Sequence, residues 1–245
     1  MQYHLIIVGC GGTGSVFLEK LTRYLSVADL KPYAEIILFD GDTVEEKNLR
    51  NQSFVKEDIG EYKSVVWANL MNEYISDRIV ESNISYIEKR SDIERAMYAY
   101  LLDDDDIVML FGCCDNHGCR LVMEDYFYHS KHPNILYFDS ANEFDNGETV
   151  YAAKLSNKVI SPPRSVVFPD ILKGDLRSVR EMSCEELNSV SPQHMLINQL
   201  AAMQLLMGFV NVVENKQIPT GTTLFSSRNY TTQHFPSYFG KEGCR

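Results

Sequence analysis

Tyr3-His4-Leu5-Ile6-Ile7-Val8 runs straight into Gly9-Cys10-Gly11-Gly12-Thr13-Gly14, and the reading of these twelve residues decides the fold. A short apolar run of this kind reads as a strand buried inside a parallel sheet. Glycines at G-x-G-x-x-G spacing follow at once, and Val16, Phe17, Leu21 and Leu25 then recur at helical spacing. Strand, glycine turn and helix together make a phosphate-binding corner. The glycines let backbone approach the phosphate, and the helix start supplies free N–H groups and partial positive charge. Pro32 interrupts the chain before a second apolar run at residues 35–39, which completes a βαβ unit. Asp40 closes that run, where a carboxylate commonly accepts ribose hydroxyls. The loop and Asp40 suit NAD and ATP equally.

The pattern continues outward from this corner. Residues 42–60 form a polar connection, and residues 61–75 read as a helix with Val65, Val66, Leu70 and Ile75 on its apolar side. Residues 84–88 alternate like a strand. Ser91 and Glu94 have the spacing of a capping box for a helix reaching Leu102. The acidic run Asp103 to Asp106 reads as a solvated loop. Residues 107–112 are a third buried strand, residues 116–128 a helix and residues 135–139 a further strand. Residues 150–155 then look antiparallel, and residues 161–182, with Pro162, Pro163 and Pro169, look like a long loop. Residues 193–213 make a helix apolar on nearly all sides, buried in the core or against a second subunit. One or two strands follow at residues 222–235. The expected fold is α/β: a Rossmann-like doubly wound sheet, parallel in its N-terminal half, with antiparallel strands and a long buried helix in its C-terminal half. All 245 residues are read as one domain, with a nucleotide-binding half at 1–140.

Composition narrows the function. Asp and Glu number 34 against 23 Lys and Arg, a net charge of −11, which disfavours nucleic-acid binding through clustered basic residues. No run is judged to reach the ~20 apolar residues of a membrane span, and the start lacks a signal-peptide pattern, so a cytoplasmic protein is expected. The six cysteines include no C-x-x-C pair, so no structural zinc is expected and reduced thiols are.

The residues after Asp40 separate the two nucleotides. They read Asp40-Gly41-Asp42-Thr43-Val44, then Asn48-Leu49-Arg50-Asn51-Gln52, then Gly60-Glu61-Tyr62-Lys63. Gly112-Cys113-Cys114-Asp115-Asn116 follows a buried strand, with Arg120 beyond it, and Ser183-Cys184-Glu185-Glu186 precedes the apolar helix. Over residues 4–212 this order closely resembles the ThiF/MoeB/HesA family, the group that includes the ubiquitin-activating enzymes. In that family D-x-D-x-V is followed by N-L-x-R-Q and G-x-x-K, then by a strand-end D-N pair and a thiol-bearing segment. The set Ser183-Cys184, Gln193 and Asn198 is more similar to ThiF-type proteins of plasmid- or phage-associated bacterial gene clusters. The sequence departs from the family in three places. Asn51 stands where the family has arginine, with Arg50 one place earlier; the family's paired C-x-x-C zinc ligands are absent; and its extra N-terminal helix is not seen.

The resemblance implies adenylation of the C-terminal carboxylate of a small ubiquitin-like or sulfur-carrier protein, with ATP and Mg²⁺. Gly9, Gly11, Gly12 and Gly14 would carry the nucleotide's phosphate or ribose, with Asp40 on the ribose. Lys63 and Arg50 would neutralise phosphate charge. Asn48 and Gln52 would orient them, Asp42 and Asn116 would complete the nucleotide set, and Asp115 would hold Mg²⁺. Cys184 is the candidate nucleophile for a thioester. From spacing alone Lys63 also reads as a solvated helix residue, Asp115 as a helix cap and Cys184 as a packing cysteine. A homodimer or heterodimer is expected. The alternatives are a non-catalytic ATP-binding scaffold and an NAD(P)-dependent oxidoreductase.

Overall fold

The computed structural model describes residues 1–27, 33–75, 80–98, 100, 102–173 and 194–237. Its N-terminal half alternates strand and helix: β1 (Tyr3–Val8), α1 (Gly12–Val27), β2 (Tyr33–Phe39), α2 (Lys63–Tyr74), β3 (Val80–Asn83), α3 (Arg90–Met97), β4 (Ile107–Gly112), α4 (His117–His129) and β5 (Ile135–Asn142). The remainder comprises β6 (Asn146–Leu155), β7 (Lys158–Ser161), the single turn α5 (Arg164–Val167), α6 (Met195–Val213), β8 (Gly221–Ser226) and β9 (Thr231–Phe235).

The nine strands among the described residues join one sheet, in the order β3-β2-β1-β4-β5-β6-β8-β9 with β7 beside β6. The first five pair in parallel, and every pairing from β5–β6 onward is antiparallel. β6 is ten residues long and shares its outer edge between two partners, β8 along Asn146–Tyr151 and β7 along Ala153–Leu155.

Alternation along β1 builds two core layers. Leu5 and Ile7 point into one with residues of α1, α2 and α6, while Ile6 and Val8 point into the other with residues of α3 and α4. Every residue of β1 and β4 is buried, which is why both read as apolar runs, broken in β1 only by His4.

Several local expectations are corrected. The edge strand is Val80–Asn83, and residues 84–88 lie outside any strand. Only Val80 of β3 is buried, so the strand has almost no apolar signal. α3 starts at Arg90, and Asp92, not Glu94, closes its first turn by accepting the N–H groups of Glu88 and Lys89 at 3.0 and 3.1 Å. α3 ends at Met97 because Tyr98 closes the last turn onto Arg95. The region 161–173 is not plain loop: it ends β7 and carries α5 and a 3₁₀ turn at Pro169–Lys173.

The acidic run is not uniformly solvated either. Asp103 and Asp105 are exposed, but Asp106 is 3% exposed and accepts the N–H groups of Gln2 and Asp103 at 2.6 and 3.0 Å. His4, buried between Asp106 and Glu35, contacts both carboxylates. Burial opposes the Asp106 charge, yet those N–H groups and His4 hold its carboxyl below the usual range.

α6 is 19 residues long with a mean hydropathy of 1.6, so by length and composition it could cross a membrane, contrary to the sequence reading. In this fold it packs on α1, β5 and β6, with Ile197, Ala201, Leu205 and Phe209 fully buried. Its far side leaves Met195, Leu196, Met203 and Met207 exposed.

Candidate functional site

The glycine loop sits at the C-terminal end of β1, between β2 and β4, where the winding of the sheet reverses direction. Its shape depends on two glycines. Gly9 has φ +93°, and a Cβ there would lie 2.8 Å from the Cys113 carbonyl oxygen. A Cβ on Gly14 would stand 1.9 Å from the Gly9 carbonyl oxygen. Gly14→Ala is therefore expected to push the loop off the strand, destabilising the chain by about 1–3 kcal/mol, the usual range for overpacking. Urea unfolding of the variant measures this. Gly11 differs: the nearest atom to a Cβ there is Gln52 Nε2 at 3.8 Å, an ordinary contact, so no clash demands a glycine.

Asp40 lies just past β2 and is 8% exposed. One carboxylate oxygen accepts the Cys10 N–H at 2.6 Å and the other the Asp42 N–H at 2.8 Å. The acidic side chain thus pins the glycine loop while facing the same crevice. Burial raises its pKa to about 6, outweighing the nearby Lys63 cation and the two N–H bonds.

Lys63 opens α2 and is not a solvated helix residue, being 6% exposed. Its place follows from backbone pairing. Val44 and Gly60–Glu61 exchange hydrogen bonds at 2.8 and 2.9 Å, and the Lys63 N–H donates to the Asp42 carbonyl at 3.0 Å. Gly60, at φ +95°, makes the turn. Lys63 Nζ then reaches Asp42 Oδ2 at 3.0 Å. Burial works against its charge, but Asp40 and Asp42, with Asp115 farther down the order, hold it protonated and raise its pKa. Tyr86 donates its hydroxyl to the other oxygen of Asp42. Burial likewise opposes the Asp42 charge, and Lys63 and Tyr86 keep its carboxyl below the usual range.

The Asn48 to Gln52 stretch is a 3₁₀ turn, Glu46–Arg50, and its extension. Asn48 is buried and its Oδ1 accepts the Glu45 N–H at 2.8 Å, so this oxygen shapes the turn. Gln52 lies beside Gly11, and its Oε1 is buried with no hydrogen-bond partner. A buried amide oxygen of this kind calls for a donor from a ligand or ordered water. Arg50 is exposed at the end of the turn.

Across the crevice, Cys113 extends the β1–β4 contact by donating its N–H to the Val8 carbonyl at 2.8 Å. Asp115 follows, exposed, and Asn116 caps α4 by accepting the Cys119 N–H at 2.9 Å. The cap is therefore Asn116, which leaves the Asp115 carboxylate at the crevice mouth. One exposed carboxylate opposite a buried lysine fits Mg²⁺, which takes one or two protein carboxylates with phosphate oxygens. Among the described residues the only grouped metal-ligand set is Asp103, Asp105 and Asp106, at the start of β4 rather than its end. Cys184 and its neighbour Ser183, like Gln193, lie outside the described residues.

Two features of the site carried little sequence signal. Asp139, fully buried near the end of β5, accepts Arg120 Nε at 3.0 Å and also Arg164 Nε; Arg164 in turn contacts Glu148. Burial opposes the Asp139 charge, and the two arginines hold its carboxyl below the usual range. A second, uncharged chain runs from Thr13 through Asn142 to Asn198. Arg120 and Asn198 belonged to the recognised pattern, whereas Asp139, Asn142 and Arg164 lay in no motif.

The chain is similar to known proteins in sequence and in fold. Over 123 residues the chain is 32% identical to ubiquitin-like modifier-activating enzyme 5 of Dictyostelium discoideum, covering 49% of this chain and 30% of that protein. Against the Oryza sativa subsp. japonica protein of the same name it is 28% identical over 127 residues, covering 50% and 28%. The chain thus spans under a third of the curated relatives it matches. Among solved structures, PaaA superposes with a TM-score of 0.67 at 16% identity, covering 96% of this chain and 73% of that one. Escherichia coli MccB with ATP superposes with a TM-score of 0.65 at 16% identity, covering 95% and 63%. These structures share the fold. The model of the ThiF family matches residues 1–237, a span that takes in the glycine loop, Lys63, Asp115 and the apolar helix, and the chain belongs to the ThiF family.

Proposed function

We propose that this chain adenylates a carboxylate with ATP, the carboxylate being the C-terminus of a small ubiquitin-like or sulfur-carrier protein or of a peptide. The observation that carries this reading is Lys63: a buried cation at the crevice, paired with Asp42 at 3.0 Å and within the field of Asp40 and Asp115. A dehydrogenase would use the loop and Asp40 but has no need of this lysine. The relatives support the reading, since those matched by sequence are named as activators of ubiquitin-like modifiers, and MccB has been crystallised with ATP and with MccA.

The chemistry is displacement at the α-phosphate, so the protein's work is positioning and charge neutralisation. The Gly11 backbone and Gln52 Oε1 line the nucleotide's bed, and Asp40 accepts ribose hydroxyls. Lys63 turns from Asp42 toward the phosphates, joined by Arg50. Asp115 is the residue that would hold Mg²⁺, which neutralises phosphate charge when bound. Cys184 is the nucleophile that would take the acyl group from adenylate, releasing AMP. Residues of a second subunit are compatible with the exposed side of α6.

The test is ATP–pyrophosphate exchange with small ubiquitin-fold carriers and free peptides as substrates. Exchange is expected with a free C-terminal carboxylate and none with the same C-terminus amidated. Exchange with neither, across carriers that the chain binds, would sink the proposal.

Asp40 gives a pH signature with two opposite signs. Its folded pKa, about 6, lies above the ordinary aspartate value, so the folded state binds this proton more tightly. Its contribution to ligand-free stability grows as pH falls from about 6 to 4. Nucleotide affinity is expected to fall over the same window, because a protonated carboxyl is a poorer ribose acceptor. Calorimetry between pH 4 and 8, with Asp40→Asn flattening both trends, checks this.

A further inference from the structure

We infer that Asn198 is a positioning residue of the nucleotide site, bracing the Asn51–Gln52 turn against the glycine loop. The inference rests on the reading of the crevice as a nucleotide site. Asn198 is fully buried in the fourth position of α6. A buried amide is costly without partners, and both ends of this one are engaged. Its Oδ1 accepts Asn142 Nδ2 at 2.8 Å, and its Nδ2 donates to the Asn51 carbonyl at 3.5 Å. Asn142 Oδ1 in turn accepts the Thr13 hydroxyl at 3.0 Å, and Thr13 belongs to the glycine loop.

One side chain thus links the loop, the end of β5 and the turn that carries Arg50 and Gln52. Asn51 is adjacent to both. The other supports of this turn come from α1: Ser53 donates its N–H to Ser15 Oγ at 3.0 Å and its hydroxyl to Glu19 at 3.0 Å. Those bonds hold the turn along α1, beside the loop. Asn198 holds it from a second helix, α6. The separation between Gly11 and Gln52, whose buried Oε1 awaits a donor, is then fixed by two independent supports. Asn198 touches no ligand in this scheme. It acts through Asn51 and, by way of Asn142, through Thr13.

The test is Asn198→Leu, which suits an apolar helix and removes both amide bonds. Amide hydrogen exchange is followed in the ligand-free chain, and ATP–Mg²⁺ affinity is measured alongside thermal midpoint. The Asn51 and Gln52 N–H groups are normally bonded to the Asn48 carbonyl at 3.2 and 2.9 Å, so they report the turn. Faster exchange at residues 51–53, with α6 and β1 protected as before, and a Kd raised about tenfold are expected. A purely structural role would lower the midpoint and leave the Kd alone. Should Asn198→Leu fail to fold, Asn198→Ala removes the same two amide bonds with a smaller side chain and is read identically. Unchanged exchange at residues 51–53 overturns the bracing role. Failure of the parent chain to bind ATP overturns the nucleotide reading separately, whatever the exchange shows.

Discussion

Lys63→Met is expected to lower adenylate formation by about 10²–10³-fold and ATP affinity by about 10–100-fold. The first range is the loss of one preorganised donor at a reacting phosphate, and the second that of one charged hydrogen bond. Methionine keeps the stem packed where Lys63 is buried, so the effect reads the charge rather than a cavity. The substitution has a second consequence. Asp40 and Asp42 both draw on Lys63, so without it Asp40 is expected to titrate still higher than about 6. Affinity measured at pH 6 should then suffer more than at pH 8. A loss equal at both values would mean that Lys63 touches the phosphates but does not support Asp40.

Arg164→Met is the largest expected stability effect outside the crevice. Arg164 is 2% exposed and donates to the Asp139 side chain, to the Asp139 carbonyl at 2.9 Å and to Glu148. Two arginines and two carboxylates balance there, and only Glu148, 30% exposed, can turn toward water. Removing one partner of such a buried group costs about 3–5 kcal/mol, because a charge is left uncompensated. Against a domain stability of about 5–15 kcal/mol this approaches unfolding. Adding Glu148→Gln restores the balance and is expected to recover part of the loss. Urea unfolding of the single and double variants measures both. A single-variant loss under about 1 kcal/mol would show that water reaches Asp139. Arg164 thereby ties α5 to the end of β5.

The parallel half of the fold was legible because burial on both faces leaves apolar residues everywhere in β1 and β4 but at His4 and Gly112. The glycine loop was legible because Gly9 and Gly14 have no substitute at those positions. β3 was misplaced for the opposite reason: an edge strand with one buried residue has no periodicity to read. Lys63 and Asp106 show a second limit. Each stands among polar residues in the chain and looks solvated, yet long-range pairing buries both, Lys63 under Asp42 and Asp106 beside His4. The Thr13–Asn142–Asn198 chain spans more than half the sequence. An asparagine in a largely apolar helix hints at a buried bond, but only the fold identifies its partner.

The central claim is that the crevice is an ATP site, and calorimetric titration of the purified chain with ATP–Mg²⁺ and, separately, with NADH tests it most directly. Saturable, magnesium-dependent ATP binding that weakens in Lys63→Met and in Asp115→Ala, with no heat from NADH, is the expected result. Binding of NADH without ATP would contradict the account and make the glycine loop and Asp40 the site of a dinucleotide instead.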